Sequence, residues 1–142
     1  MTAMPRSVSI ERTDDIALLK RLHLDTFPSD AFPEFGAGWW WVMRDDTELP
    51  LGFCGMQPSS KFVDAVYLVR AGVIPKARGL GLQARMIRVR ERHARRLGMR
   101  WAITYTYCNP ASANSLIRCG YRIYEPSSPW GGEGSIYWRK PL

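Results

Sequence analysis

Disulfide chemistry has little to work with in this chain of 142 residues, whose cysteines are Cys54, Cys108 and Cys119. Their odd number, wide spacing and lack of a Cys-x-x-Cys pair exclude a disulfide framework and a zinc site, and point to free thiols in a reducing cytoplasm. Histidine is scarcer still. His23 and His93 form no His-x-x-x-His pair, so no metal is expected. No apolar run approaches about 18 residues and residues 1–15 hold no apolar signal core, so neither a membrane span nor secretion is expected. Internal repeats and low-complexity linkers are missing too, and the length fits one domain over residues 1–142. Acidic residues are the minority, 13 Asp and Glu against 20 Lys and Arg, for a net charge of +7. That imbalance implies an anionic partner: a nucleotide cofactor, a nucleic acid or a membrane surface. Much of the excess is arginine between Arg85 and Arg96, so it is a local feature rather than a tail.

Several nucleotide and hydrolase signatures are absent as well. No Gly-Lys-Ser/Thr follows the glycines, which excludes a Walker A loop, and no acidic residue about 20 positions on completes a dinucleotide fingerprint. There is no Gly-x-Ser-x-Gly elbow for a serine nucleophile. What is present is the stretch Val73-Ile-Pro-Lys-Ala-Arg-Gly-Leu-Gly-Leu-Gln-Ala84. A β-type run, Val66 to Val69, precedes it and a helical pattern follows. Pro75 lacks an N–H and ends the strand. Gly79 and Gly81 let the backbone turn tightly with its amides exposed. A strand, a glycine loop and a helix N-terminus bring unpaired N–H groups and the positive end of a helix dipole to one point. Arg78 adds a full charge, and the whole reads as a pyrophosphate cradle.

The remaining chain supplies the frame. Val8 to Ile10 alternates as a first strand. Thr13 or Asp14 can cap a helix with apolar positions Ile16, Leu19, Leu22 and Leu24, ended by Pro28. Residues 29–38 read as a loop, Trp39 to Met43 as a buried strand, and Leu51 to Gly55 as its hairpin partner. Phe62 to Val73 is the long central strand. After the glycine loop, Leu82, Met86, Val89, His93 and Leu97 step by three and four as one helical stripe stopped by Gly98. Trp101 to Tyr107 is a strand, Pro110 to Arg118 a short helix, and Tyr121 to Tyr124 and Ser135 to Arg139 the last strands. The order β-α-β-β-β-α-β-α-β-β predicts an α+β fold with a central twisted mixed sheet flanked by helices, its middle strands joined by a parallel crossover.

Val73-x-Pro75-x-x-Arg78-Gly79-x-Gly81 at this junction resembles the acyl-CoA loop of the GCN5-related N-acetyltransferase (GNAT) family, whose pattern is Arg/Gln-x-x-Gly-x-Gly/Ala. Arg78 and Gly81 match it and Gln83 departs from it. Asn109-x-x-Ser112 followed by Cys119-Gly120-Tyr121 is similar to the family's later motif, and the element order agrees. The resemblance implies a single N-acetyltransferase domain that binds acetyl-CoA, uses no metal and moves the acetyl group to a primary amine by direct attack. It places the cofactor phosphates on the amides of Arg78, Gly79, Leu80, Gly81, Leu82 and Gln83. The pantetheine arm falls along Ala71, Gly72, Val73 and Ile74, with Asn109 and Ser112 beside it. A strand N–H near Val73 is the candidate donor to the thioester oxygen.

The family often carries a tyrosine acid where Leu116 stands, and leucine cannot donate a proton. Tyr107 and Tyr121 are the nearest substitutes, each also readable as a packed aromatic. Asp64, Glu34 and Glu125 are the acidic candidates for the base, each read first as a solvated surface carboxylate. His93 reads as a packed core residue. Part of the Trp39 to Trp41 run could line an acceptor pocket. Arg85, Arg88, Arg92 and Arg95 fall away from the apolar stripe and read as a solvated face. The alternatives are a CoA-binding module without turnover and a nucleic-acid-binding protein acting through that arginine face. Nucleic acid is not the expected partner. A homodimer is compatible with the family.

Overall fold

Alternating residues begin the first strand at Val8, and the computed structural model describes residues 7–142. Residues 1–6, the start of the stretch read for a signal core and of the single domain, lie outside the described residues. Seven strands and three α-helices follow in the expected order: β1 Val8–Arg12, α1 Ile16–Thr26, β2 Trp39–Asp45, β3 Pro50–Pro58, β4 Ala65–Val73, α2 Leu82–Arg96, β5 Trp101–Thr106, α3 Pro110–Arg118, β6 Arg122–Tyr124 and β7 Ile136–Pro141. A short 3-10 turn, Pro75–Ala77, stands between β4 and α2. The strands form one mixed sheet in the order β1-β2-β3-β4-β5-β7-β6. The β4–β5 ladder is parallel, while β1–β2, β2–β3, β5–β7 and β6–β7 are antiparallel. No helix among the described residues is long and apolar enough to cross a membrane.

Two compact units divide the chain. The first comprises Met1–Met56 and Val69–Leu82. Its helix α1 is capped by Asp15, whose side chain accepts from the Leu18 amide at 3.1 Å, rather than by Thr13 or Asp14. The expected stripe also shifts. Ile16 and Leu24 are exposed, and the buried face is Leu18, Leu19, Leu22 and His23. Leu18, Leu19 and Leu22 pack with Phe35, Trp40, Val42 and Phe53, and Phe27, Val69 and Ile74 close the cluster at its margin. Removing these apolar side chains from water is the main force that holds α1 on its strands.

The second unit comprises Gln57–Leu68 and Gln83–Leu142. Here β4 starts at Ala65, three residues later than expected, because residues 59–64 form a turn that leaves Val63 almost fully exposed. The parallel ladder pairs Ala65, Val66 and Tyr67 with Trp101, Ala102 and Ile103. One residue further, the Thr104 hydroxyl donates to the Leu68 carbonyl at 2.9 Å, so a side chain takes over from the ladder. The buried residues of α2 are Leu82, Met86, Ile87, Arg90, Glu91 and Ala94, so Leu82 and Met86 of the expected stripe are buried. Val89 and His93 are half-buried and Leu97 is exposed, so the step-by-three-and-four stripe is rotated from the sequence expectation. The charged pair survives burial through partners: Arg90 Nε donates to the Met86 carbonyl, and Glu91 is held by Lys140 at 3.0 Å.

Candidate functional site

The glycine loop lies in the first unit and is built by local backbone rules. Ile74 follows β4 with its amide donated to the Leu51 carbonyl at 2.8 Å, and its carbonyl accepts from the Ala77 amide at 3.0 Å. Pro75 then supplies a fixed φ at the start of the 3-10 turn, where a missing N–H costs nothing. Arg78 folds back so that its Nε donates to the Val73 carbonyl at 3.0 Å, which anchors the guanidinium beside the loop. Gly79 and Gly81 have φ of +82° and +74°, the left-handed region in which a side chain is strained. A Cβ built on either meets nothing within 4 Å. Among the described residues the amides of Gly79, Leu80 and Gly81 carry no backbone partner. They lead directly into Leu82, the first residue of α2.

This arrangement fits a diphosphate. The amides of Gly79, Leu80 and Gly81 carry no backbone partner, an arginine is fixed next to them, and α2 begins at Leu82 with the positive end of its dipole. Two residues of the expected set are used otherwise. The Ile74 amide is spent on β3, so it is not a donor for a ligand. Gly72 is buried, and a Cβ there would stand 2.6 Å from Thr26 Oγ1 and 2.8 Å from the Phe53 ring, so its glycine serves close packing.

In the second unit Asn109 caps α3, accepting from the Ser112 amide through Oδ1 at 3.1 Å, with Pro110 in the first turn. That explains the Asn-x-x-Ser spacing locally: a cap oxygen reaches the N3 amide. The two tyrosines differ sharply. Tyr107 is exposed, whereas Tyr121 is 3% exposed, with its hydroxyl buried near Glu91. Burial first, and then the Glu91 carboxylate, push the Tyr121 pKa well above the usual tyrosine range. Tyr121 is therefore corrected from candidate acid to interior residue, a weaker acid than in water and out of reach of a substrate. Leu116 is buried as well. The candidate bases Asp64, Glu34 and Glu125 are exposed. Asp64 sits in a left-handed turn, and its carbonyl accepts from the amides of Arg100 and Trp101, a structural duty.

Sequence reasoning missed a polar cluster in the first unit. His23 is fully buried, and Arg70 Nη1 donates to its Nε2 at 2.9 Å. The same Nη1 lies 3.4 Å from Asp30 Oδ2. Burial, then the Arg70 cation, lower the His23 pKa from 6.5, with Asp30 opposing. The neutral ring accepts at Nε2 and carries its proton on Nδ1. A histidine beside leucines in α1 and an arginine inside an apolar strand were the available signals. Among the described residues no three metal-ligating side chains cluster.

A mixed sheet whose central strand runs through a proline turn and a glycine loop into a helix N-terminus is the element order expected from the sequence. The chain belongs to the acetyltransferase (GNAT) family, whose sequence model matches residues 10–121. Among solved structures it is similar to an IAA acetyltransferase from Bacillus cereus ATCC 14579, at 20% identity and a TM-score of 0.76, covering 96% of this chain and 100% of that one. A Bacillus subtilis acetyltransferase in complex with CoA gives 15% identity and a TM-score of 0.78, covering 96% and 99%. A GNAT family acetyltransferase from Elizabethkingia anophelis with acetyl-CoA bound gives 14% and 0.75, again covering 96% and 99%. At such identities the likeness shows the fold. Among curated proteins there is no match.

Proposed function

We propose that this chain is an N-acetyltransferase, one domain over residues 1–142, that moves an acetyl group from acetyl-CoA to a primary amine by direct attack in a ternary complex. The observation that carries this reading is the glycine loop of a family member: unengaged amides at Gly79 to Gly81 beside an anchored Arg78. Acetyl-CoA supplies an activated thioester. The chain's own residues do the rest. The amides of residues 79–83 and the Arg78 guanidinium hold the diphosphate, the Arg78 amide being spent on the Pro75 carbonyl at 3.3 Å, and the strand edge at Ala71 and Val73 meets the amides of the arm. The Val73 N–H is the donor for the oxygen that becomes negative in the transition state. Asn109 uses its side-chain NH2 on the arm while Oδ1 keeps the cap, and Ser112 lies in the same turn of α3. Tyr107 is the acid for the departing thiolate. The attacking amine must be neutral, and water carries its proton to bulk solvent. Cytoplasmic location and a homodimer belong to the same proposal.

Leu116 favours one rival, a CoA-binding module without turnover, because a buried leucine stands where the family often has its acid. Thermal unfolding with acetyl-CoA, CoA and ATP, joined to an assay of CoA release with a panel of primary amines, separates them. Acetyl-CoA at about 100 times its dissociation constant should add about 2.7 kcal/mol of stability. A shift with acetyl-CoA exceeding that with ATP, together with CoA release, supports the enzyme. A shift without release from any amine supports the module. No shift at all refutes the cradle.

A further inference from the structure

His23, Asp30 and Arg70 are far apart in sequence and meet in the first unit, which also holds Val73 and the glycine loop. We infer that Arg70 is the group that recognises the acceptor, and that the acceptor is a primary amine that also carries an oxyanion, a carboxylate or a phosphonate. This rests on the acetyltransferase reading above.

The guanidinium is oriented before any ligand arrives. It lies over the Phe27 ring at 5.1 Å from the centroid, and its Nη1 is tied to the fully buried His23 at 2.9 Å. The side-chain hydrogen bonds of Arg70 to His23 and Asp30 both leave from Nη1. The opposite edge, Nε and Nη2, presents two parallel N–H groups, the fork that binds a carboxylate in bidentate fashion. The side chain as a whole is 27% exposed. Its one carboxylate partner, Asp30, is 54% exposed at 3.4 Å, a loose and solvent-screened contact that does not consume the cation.

His23 is the positioning residue. Phe27, Phe32, Phe35 and Phe53 surround its ring at 5.3–6.0 Å, so it cannot swing away. Its Nδ1 is buried with no hydrogen-bond partner. The ring keeps Nε2 on Arg70 Nη1 at 2.9 Å, and that contact fixes the guanidinium. Placement completes the case. Arg70 stands three residues, about 10 Å of extended strand, before Val73, so an amine brought to the Val73 end can leave its oxyanion on Arg70.

The test uses the full chain with acetyl-CoA, a thiol readout of CoA release, and matched acceptors. Each primary amine is offered with a carboxylate, a phosphonate or a neutral carboxamide, at amine-to-anion spacings of one to six carbons. The wild type should prefer an oxyanion over its carboxamide by about 10- to 100-fold in kcat/KM, the range of a charge-assisted hydrogen bond. The carboxylate and phosphonate arms show which oxyanion it takes. Arg70→Gln should bring that ratio toward one, through KM more than kcat, while its acetyl-CoA melting shift persists. Arg70→Lys, which keeps the charge and loses the fork, should restore only part of it. Asp30→Asn, which removes the competing carboxylate, should lower KM for the oxyanion acceptor.

No wild-type preference for any oxyanion, or equal loss on both members of a pair in Arg70→Gln, overturns the inference and leaves an ordinary ion pair. Should Arg70→Gln fail to fold, the Asp30→Asn result decides: an unchanged or raised KM counts against it. If no amine turns over, the acceptors are tested by melting of the acetyl-CoA-bound chain. Oxyanion-specific stabilisation lost in Arg70→Lys supports the inference, and its absence refutes it. Loss of the acetyl-CoA shift itself marks failure of the acetyltransferase reading instead.

Discussion

At the scale of single residues, three positions have consequences that differ in kind. Gly81 holds φ at +74° with open space where a Cβ would sit, so Gly81→Val strains the backbone without colliding with a neighbour. Equilibrium binding should show the acetyl-CoA Kd raised about tenfold, equivalent to losing one charge-assisted contact of about 1.4 kcal/mol. Unchanged affinity would remove the loop from the cofactor site. Gly72 is the reverse case, a collision without a positive φ. Gly72→Ala places a methyl group against Thr26 and Phe53 and should cost about 1–3 kcal/mol in urea unfolding. His23 gives a pH dependence. Its folded pKa lies below 6.5, so above that pH neither state gains a proton there. As pH falls below 6.5 the unfolded chain takes up a proton that the folded chain, facing Arg70 and burial with only Asp30 opposing, resists. Stability should therefore fall between 6.5 and the lowered value. Urea midpoints across pH 7 to 5 should decline more steeply for wild type than for His23→Gln, and parallel declines would contradict this assignment.

At the scale of elements, the strands and helices were legible because their signals are local. Alternation, the proline after β4 and the glycines after α2 and α3 sufficed for order and type. Faces were harder to read. On α2 the buried side includes Arg90 and Glu91, which a hydrophobic stripe passes over: Arg90 is satisfied within the helix by the Met86 carbonyl, and the partner of Glu91, Lys140, is set by tertiary contact. On α1 the same blindness hid His23. The site divides likewise. The cradle is a contiguous stretch and its backbone geometry follows from glycine and proline, whereas the burial of Tyr121 and the meeting of residues 23, 30 and 70 depend on folding. Helix α3 allows two roles of one residue to be separated. Asn109→Ala should cost about 1 kcal/mol because the cap to the Ser112 amide is lost. Asn109→Asp keeps a cap oxygen and should keep that stability while weakening acetyl-CoA binding. If both variants leave acetyl-CoA affinity intact, Asn109 is a cap alone.

For the whole molecule the outstanding quantity is its net charge of +7. Arg85, Arg88, Arg92 and Arg95 are all exposed on α2, and the one acidic residue of that helix, Glu91, is buried on Lys140. A row of exposed arginines attracts any polyanion, so some affinity for nucleic acid is expected from electrostatics alone. What decides its meaning is salt. A non-specific surface should bind duplex DNA or RNA with Kd of about 10⁻⁴–10⁻⁶ M at physiological salt, without sequence preference. Log Kd should rise with log salt by about 0.9 for each phosphate neutralised. Replacing Arg88, Arg92 and Arg95 with glutamine should then reduce that slope by up to about three and leave acetyl-CoA binding untouched. Fluorescence anisotropy over a salt series reads both numbers. Tight, salt-resistant binding at physiological ionic strength would instead make nucleic acid a partner in its own right. Weak binding that salt abolishes returns the charge to an ordinary solvated face.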